Sequence, residues 1–552
     1  MVAPGRIPST SKVSSFWLVL KASQPDFHGT ETVGADLTKK RIAQQDYVKP
    51  SSPVENLPTE ILTLILALAC PEYGLDVIKR AGGFSCPSTV PTLAISHVCS
   101  LWRNVVLSLP SLWAGIRLDL ALLTGPVDYH FREIMRLYID RSRRVGLDLY
   151  LEASGLQKLS RSQQQIAFAQ HDSIIRLFLD ERPRWRRVSF DVSHDISIFG
   201  YMQELMGTFE HLEEVRFVRA VLYNYQPYDA ALSDDEPYCD APNLRTLELS
   251  STNVFDIEVM GTIDFKHVTS VILNNCYAHA WQHIGEVFRL FPHLQQLSIH
   301  VDSYPESFDN IPHRSSQTLQ SLTMIVESFG AAAEVNAALT LPSLTHLNLS
   351  FHSSCKSDSS KAAWMDSFQA MLRRSSCQLQ SLNFVCGDLF TTDEVTKLSS
   401  WLPTLTTLSL DADCQTLSTR FFENLTLHSS LAVPSGSEGV SDAKLVPVFP
   451  RLTSLDIKLS GLHIQHTQPS TSLPIPESIV SMIQSRQAVI TITGTDATLS
   501  HFGLCALARE GVESEREWAK RLRSMMTVRL REYRDASTGH RRLTHSLELG
   551  EM

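Results

Sequence analysis

At 552 residues the chain exceeds what a single hydrophobic core supports, so two or more domains or an extended repeat array are expected. A formal charge of −10 and a pI near 6.1 supply no field that would gather nucleic acid, and no nucleic-acid partner is expected. The longest mainly apolar run, Ile61 to Cys70, falls far short of the roughly 20 residues that a spanning helix needs, which predicts no membrane association.

The ten cysteines (70, 86, 99, 239, 276, 355, 377, 386, 414 and 505) are scattered and contain no C-x-x-C pair. That usage suits reduced thiols serving as small core side chains in a cytoplasmic or nuclear protein, not a disulfide framework or a zinc site.

Residues 1–52 mix Pro, Ser, Thr, Lys and Gln without sustained periodicity and are read as a disordered tail. The apolar patch Ser15 to Leu20 follows Arg6 and Lys12, but no small-residue cleavage site precedes Lys21, so a signal peptide is not expected. Lys49-Pro50-Ser51-Ser52-Pro53 reads as a stiff linker.

A helix then begins near Leu57. Pro58 stands where the first turn tolerates a missing amide, and Glu60 faces the positive end of the helix dipole. From Ile61 to Ala69 only Thr63 is polar, so apolar groups surround the helix and demand cover on nearly every side. A second helix is expected to carry Ala94, Val98, Leu101, Trp102, Val105 and Leu109 on one face, with Trp102 packed against Ile61 or Ile65. That covers one side of the first helix and leaves the other for a partner. The alternative reading of Leu57 to Ala69 is the core helix of a larger α domain.

Three pieces in order, Leu57-Pro58-x-Glu60-Ile61-Leu62, Val98-Cys99-x-x-Trp102-Arg103 and Pro110-x-Leu112-Trp113, resemble an F-box. The resemblance covers residues 53–118 and points to the fungal F-box-like family with a leucine-rich-repeat-like region behind the F-box. It implies docking on the Skp-type adaptor, and through it on a cullin, by Leu57, Pro58, Ile61, Leu62 and Ile65. It also implies a small helical core built on Val98, Trp102 and Trp113. Between Cys70 and Thr89 the chain departs from the compact form by an insertion bearing Gly74, Gly82, Gly83 and Pro87.

Residues 119–183 are read as connecting helices (Phe131 to Ile139, Gln163 to Phe178) and first repeat elements, including an alternating strand at Gly146 to Leu151. From Arg184 the pattern x-L-x-x-L-x-L recurs ten times: Trp185/Val188/Phe190, Leu212/Val215/Phe217, Leu244/Leu247/Leu249, Val268/Val271/Leu273, Leu294/Leu297/Ile299, Leu319/Leu322/Met324, Leu344/Leu347/Leu349, Leu379/Leu382/Phe384, Leu405/Leu408/Leu410 and Leu452/Leu455/Ile457. Six of the nine steps between successive copies span 24 to 27 residues, inside the period of about 20 to 29 expected of leucine-rich repeats.

Helices are expected between the copies, around Trp281 to Phe291, Trp364 to Leu372 and Val395 to Leu402, and a Pro or polar residue commonly ends each one. The insertions at Tyr223 to Asp240 (acidic), Ser353 to Lys361, and Leu427 to Leu445 (Ser- and Gly-rich) are assigned to loops. Residues 184–511 are read as the repeat array, 512–534 as a capping helix with Trp518, Leu522, Met525 and Met526 on its apolar side, and 535–552 as a disordered tail.

The fold class so expected is α/β: a small all-α F-box-like module followed by a leucine-rich-repeat solenoid, a curved parallel sheet inside and helices outside. No G-x-S-x-G, glycine-rich phosphate loop or H-E-x-x-H is present. The pairs His279/His283 and His463/His466 lack a third ligand, and the sequons at Asn348 and Asn424 do not suit the expected compartment. No catalytic residue, cofactor or metal is expected. The expectation is a non-catalytic substrate receptor of a Skp–cullin–F-box type ubiquitin ligase, its repeat region binding an unidentified protein. The alternative is a repeat scaffold without a ubiquitin-ligase role.

Overall fold

The computed structural model describes residues 56–70, 73–77, 90–119, 129–152, 174–191, 207–218, 239–250, 265–274, 284–301, 313–357, 359–412, 417–426, 448–459, 476–488, 501–506, 531–534 and 541–548. The chain divides into two units, Met1–Pro58 and Thr59–Met552. The first contributes only Asn56 to Pro58 to the described residues, with Leu57 half-buried and Pro58 exposed.

The second unit is α/β, built on one sixteen-stranded sheet. Its strands are β1 (Leu75–Val77), β2 (Gly115–Asp119), β3 (Leu147–Glu152), β4 (Trp185–Asp191), β5 (Glu214–Val218), β6 (Thr246–Ser250), β7 (Ser270–Asn274) and β8 (Gln296–Val301). They continue as β9 (Ser321–Val326), β10 (His346–Phe351), β11 (Ser381–Gly387), β12 (Thr407–Ala412), β13 (Ser454–Leu459), β14 (His501–Ala506), β15 (Arg531–Arg534) and β16 (Arg541–Glu548). From β1 to β14 each strand pairs in parallel with the next strand of this sheet, and β16 and then β15 follow β14 in antiparallel pairing. Parallel neighbours cannot be joined by a tight turn, so each step requires a return segment, and that requirement sets the repeat length.

The recurring apolar pairs lie in exact register. Val188, Val215, Leu247, Val271, Leu297, Leu322, Leu347, Leu382, Leu408 and Leu455 face one another across successive strands, and the residue two further on forms a second column from Phe190 to Ile457. All of these side chains are buried, as is the leading residue of every copy, from Trp185 to Leu452. In β9 to β12 period-two alternation sends the intervening residues to the other face, where burial is only partial.

Backbone bonds tie the copies at the strand entrance as well. The carbonyl of Gln320 accepts from the amides of Thr345 and His346 at 2.9 Å each, and the carbonyl of Thr345 accepts from Gln380 and Ser381. Threonine hydroxyls reinforce the same position, Thr345 donating to Gln320 at 3.1 Å and Thr406 to Gln380 at 3.0 Å.

Helices cover the buried face. α1 (Thr59–Ala69), α2 (Pro91–Ser96), α3 (Ser100–Ser108), α4 (Ser111–Ala114) and α5 (Tyr129–Ser142) belong to the early part of the chain. Then come α6 (Ile284–Leu290), α7 (Phe329–Ala338), α8 (Lys361–Ser375), α9 (Thr392–Trp401), α10 (Thr419–Leu425) and α11 (Pro476–Ala488). α9 starts on a capping box in which Thr391 accepts from the Glu394 amide and the Glu394 side chain accepts from the Thr391 amide. Around α7 and α8 the aromatics interlock: Trp364 stacks on Phe368 with centroids 5.2 Å apart and meets Phe351 at 5.0 Å, and Phe384 meets Phe390 at 5.0 Å. α11 is pinned by Arg486, 1 % exposed, whose guanidinium donates to the carbonyls of Leu425, Phe449 and Val448.

Three boundaries differ from the sequence expectation. The sheet begins not at the strand expected over Gly146 to Leu151 but at β1, inside the 71–89 insertion, and continues through β2, inside the stretch assigned to the F-box-like module. The early copy Trp113/Ile116/Leu118 keeps the three-and-two spacing of Trp185/Val188/Phe190, but it falls within the stretch assigned to the F-box-like module.

At the other end, residues 531–534 are a strand, where a capping helix was expected, and 541–548 are a strand, where a disordered tail was expected. The edge of β14 offers a row of unpaired amides and carbonyls that a strand can satisfy and a helix cannot. The tail before residue 56, most of the 71–89 insertion, the loops at 219–238 and 427–447, the helix expected over 513–530, Trp281 and both histidine pairs lie outside the described residues.

Candidate docking surface

α1 carries apolar side chains all round, and the fold divides them. Leu62 and Leu66, one turn apart, are 1 % and 0 % exposed and face inward, and α1 packs on α3. Ile61, Leu64, Ile65 and Leu68 recur at the i, i+3, i+4, i+7 spacing of the opposite stripe and are 45 %, 56 %, 42 % and 79 % exposed. With Val98, 59 % exposed, these are all the large exposed apolar side chains among the described residues. Monomeric proteins rarely leave such a stripe uncovered without a binding purpose.

This arrangement corrects part of the expected contact set. Ile61 and Ile65 are available to a partner, whereas Leu62 belongs to the interior, and Leu64 and Leu68 take its place on the outer stripe. The helical period separates the stripes in the sequence, but uniform apolarity conceals which one turns outward.

Val98, expected in the module core, is on the surface, and Trp102 is half-buried. The cause is a break: α2 ends at Ser96, and Cys99 is the N-cap of α3, its Sγ accepting from the Trp102 amide at 3.5 Å. One continuous helix would have put Val98 in line with Leu101, Trp102 and Val105. Two short helices reset the phase and leave it in the turn.

Trp113 fills the interior at 1 % exposure. Its Nε1 donates to the Val106 carbonyl at 2.9 Å, its ring lies 5.0 Å from that of Tyr138, and the Arg141 guanidinium stands 5.0 Å from its centroid. Burial lowers the Arg141 pKa and, as the largest effect, raises that of the Tyr138 phenol.

The short helices are fastened to the sheet by its first strands. Tyr138 donates to the Gly74 carbonyl at 3.0 Å, and the buried Thr92 hydroxyl donates to the Leu112 carbonyl at 3.0 Å. A Cβ on Gly74 would meet the Leu112 carbonyl oxygen at 2.0 Å, so this close approach of two backbones needs glycine. Gly74, just ahead of β1, is therefore where α2, α4 and α5 meet the start of the sheet. Cys70, half-buried at the end of α1, has its thiol pKa raised by burial, against a hydrogen bond with Thr92.

Among the described residues no group of three or more His, Cys, Asp or Glu side chains could hold a metal ion, and no helix is long and apolar enough to cross a membrane. No family model and no curated protein matches the chain. Among solved structures it is similar to a Bacteroides fragilis protein from a structural-genomics programme, at 16 % identity over 42 % of this chain and 65 % of that one, with a TM-score of 0.26. A likeness that slight carries no functional argument.

Proposed function

We propose that the chain is the substrate-recognition subunit of a Skp–cullin–F-box type ubiquitin ligase. In this reading the outer stripe of α1 docks on the Skp-type adaptor and the repeat region holds the protein to be modified. The observation that carries the reading is the gathering of the exposed large apolar residues on α1 and the α2–α3 turn, at the place where the F-box-like residues stand. Among the described residues, no other helix leaves a large apolar side chain exposed. The protein contributes proximity and no chemistry of its own.

Ile65→Glu combined with Leu68→Glu tests the docking role, because both side chains are exposed and the exchange leaves the interior alone. Loss of two interface anchors is expected to weaken binding to purified Skp-type adaptor by at least about thirtyfold, with an unchanged thermal melt. Undiminished adaptor binding overturns the assignment. Capture of adaptor without cullin would instead mark a scaffold that uses the same stripe.

A further inference from the structure

Until an adaptor covers it, the outer stripe of α1 stands in water. Ile61, Leu64, Ile65 and Leu68 run for two turns along the helix, and Glu60 is the only charged residue of α1. Val98 adds a fifth exposed apolar side chain, in the turn ahead of α3, the helix on which α1 packs. Apolar surface of this kind gains by leaving water whichever partner covers it.

A second copy of the chain offers a matching surface. At exposures between 42 % and 79 %, the five side chains leave on the order of 500 Å² of apolar surface per copy, so two facing stripes bury about 1,000 Å², where specific interfaces begin. Interfaces at that end of the range are weak and reversible. An isologous pair uses the same patch on both copies and closes on itself, giving a dimer and no filament.

One orientation suits the residues of α1. A two-fold axis across the helices lays them antiparallel, so that Ile61 of one copy faces Leu68 of the other, Leu64 faces Ile65, and all four side chains are covered. The two helix dipoles then oppose, and the two Glu60 carboxylates stand at opposite ends, whereas parallel helices would bring them side by side.

We propose that adaptor-free chains pair through the outer stripes of α1 as an antiparallel two-fold dimer, so that self-pairing and adaptor binding exclude one another. The exclusion rests on the function proposed above; the pairing itself does not. Each chain carries a formal charge of −10, so salt that screens the mutual repulsion strengthens the pairing.

The test is sedimentation velocity on the full-length protein. Between about 1 and 100 μM its weight-average mass should climb from the single-chain 61.8 kDa toward twice that value, more steeply in higher salt. Leu64→Glu should weaken pairing by at least about thirtyfold, because the exchange enters a two-fold interface twice. Ser400→Glu adds the same charge at an exposed position on α9 and should leave pairing unchanged. Ile61→Lys and Leu68→Glu should each weaken pairing alone, and an equimolar mixture of the two should restore it, because the antiparallel register sets the introduced amine against the introduced carboxylate. Thermal melts of the dilute variants should match that of the unaltered protein.

A single-chain mass at every concentration, equal weakening by Leu64→Glu and Ser400→Glu, or no recovery in the mixture overturns the proposal. Purified Skp-type adaptor should convert the dimer into complexes holding one copy of this chain. A dimer that persists with adaptor bound overturns the exclusion, and a dimer that does not bind adaptor removes the ligase reading alone.

Discussion

α1 and α7 are both predominantly apolar and meet opposite fates. α7, Phe329-Gly330-Ala331-Ala332-Ala333-Glu334-Val335-Asn336-Ala337-Ala338, buries Phe329, Ala331, Ala332, Val335, Asn336 and Ala338, because α8 packs against it and repeats lie on both sides. α1 buries only Leu62 and Leu66 and leaves four large apolar side chains in solvent. An apolar helix must be covered, but its place along the array decides whether the chain itself supplies the cover. In α7 the side chains are small so that a neighbouring helix can approach, whereas in α1 they are large and reach outward.

The largest expected effect lies on the covered side of this comparison. Trp364→Ala empties the space between Phe329, Phe351 and Phe390 and is expected to cost about 3–5 kcal/mol in chemical denaturation. A loss below 1 kcal/mol, on the scale of an exposed substitution, would mean that the α7–α8 region is not tightly packed.

Gly74→Ala should come next. The new methyl must displace the Leu112 backbone, an overpacking cost of about 1–3 kcal/mol, and hydrogen exchange should rise in α2 to α4 while β9 to β12 stay protected. Uniform loss of protection across the sheet would show that the early helices and the repeats melt as one unit.

Thr391→Ala removes the capping box of α9 and should cost about 1 kcal/mol. Leu68→Ser should cost the least, within about 0.5 kcal/mol by thermal melt, since that side chain is 79 % exposed. If Leu68→Ser destabilises as much as Thr391→Ala, the outer stripe of α1 is covered within the chain and the contrast with α7 fails.

Acid should sharpen the same division between array and surface. Burial pushes the Asp148 carboxyl up, but hydrogen bonds from Arg186 and Arg187 outweigh it and hold the pKa below its ordinary value. The stability so gained is complete above the unfolded-state pKa and disappears as pH falls through the depressed folded-state value. Asp148→Asn should therefore flatten the acid limb of the stability curve, read by denaturant midpoints across that range. An acid limb identical to that of the unaltered protein would deny the pair this role.

Much of the α/β architecture was legible in the residues, because buried parallel strands repeat their apolar pairs at a fixed offset. The columns from Val188 to Leu455 and from Phe190 to Ile457 follow from spacing alone. Pro58 and Glu60 likewise mark the start of α1 before any coordinates are considered. Local chemistry suffices for such features, since a helix start or an alternating strand depends on residues within a few positions.

Which stripe of α1 turns outward, where Val98 sits, and the fact that Leu75–Val77 opens the sheet were decided only by tertiary contacts. Leu62 and Ile61 are equally apolar, and only the position of α3 distinguishes them. The three residues of β1 are too few to show a period, and they are held by pairing with β2, about forty residues along the chain. Asp119, Glu152 and Asp191 are likewise far apart in sequence, and strand register alone brings them side by side.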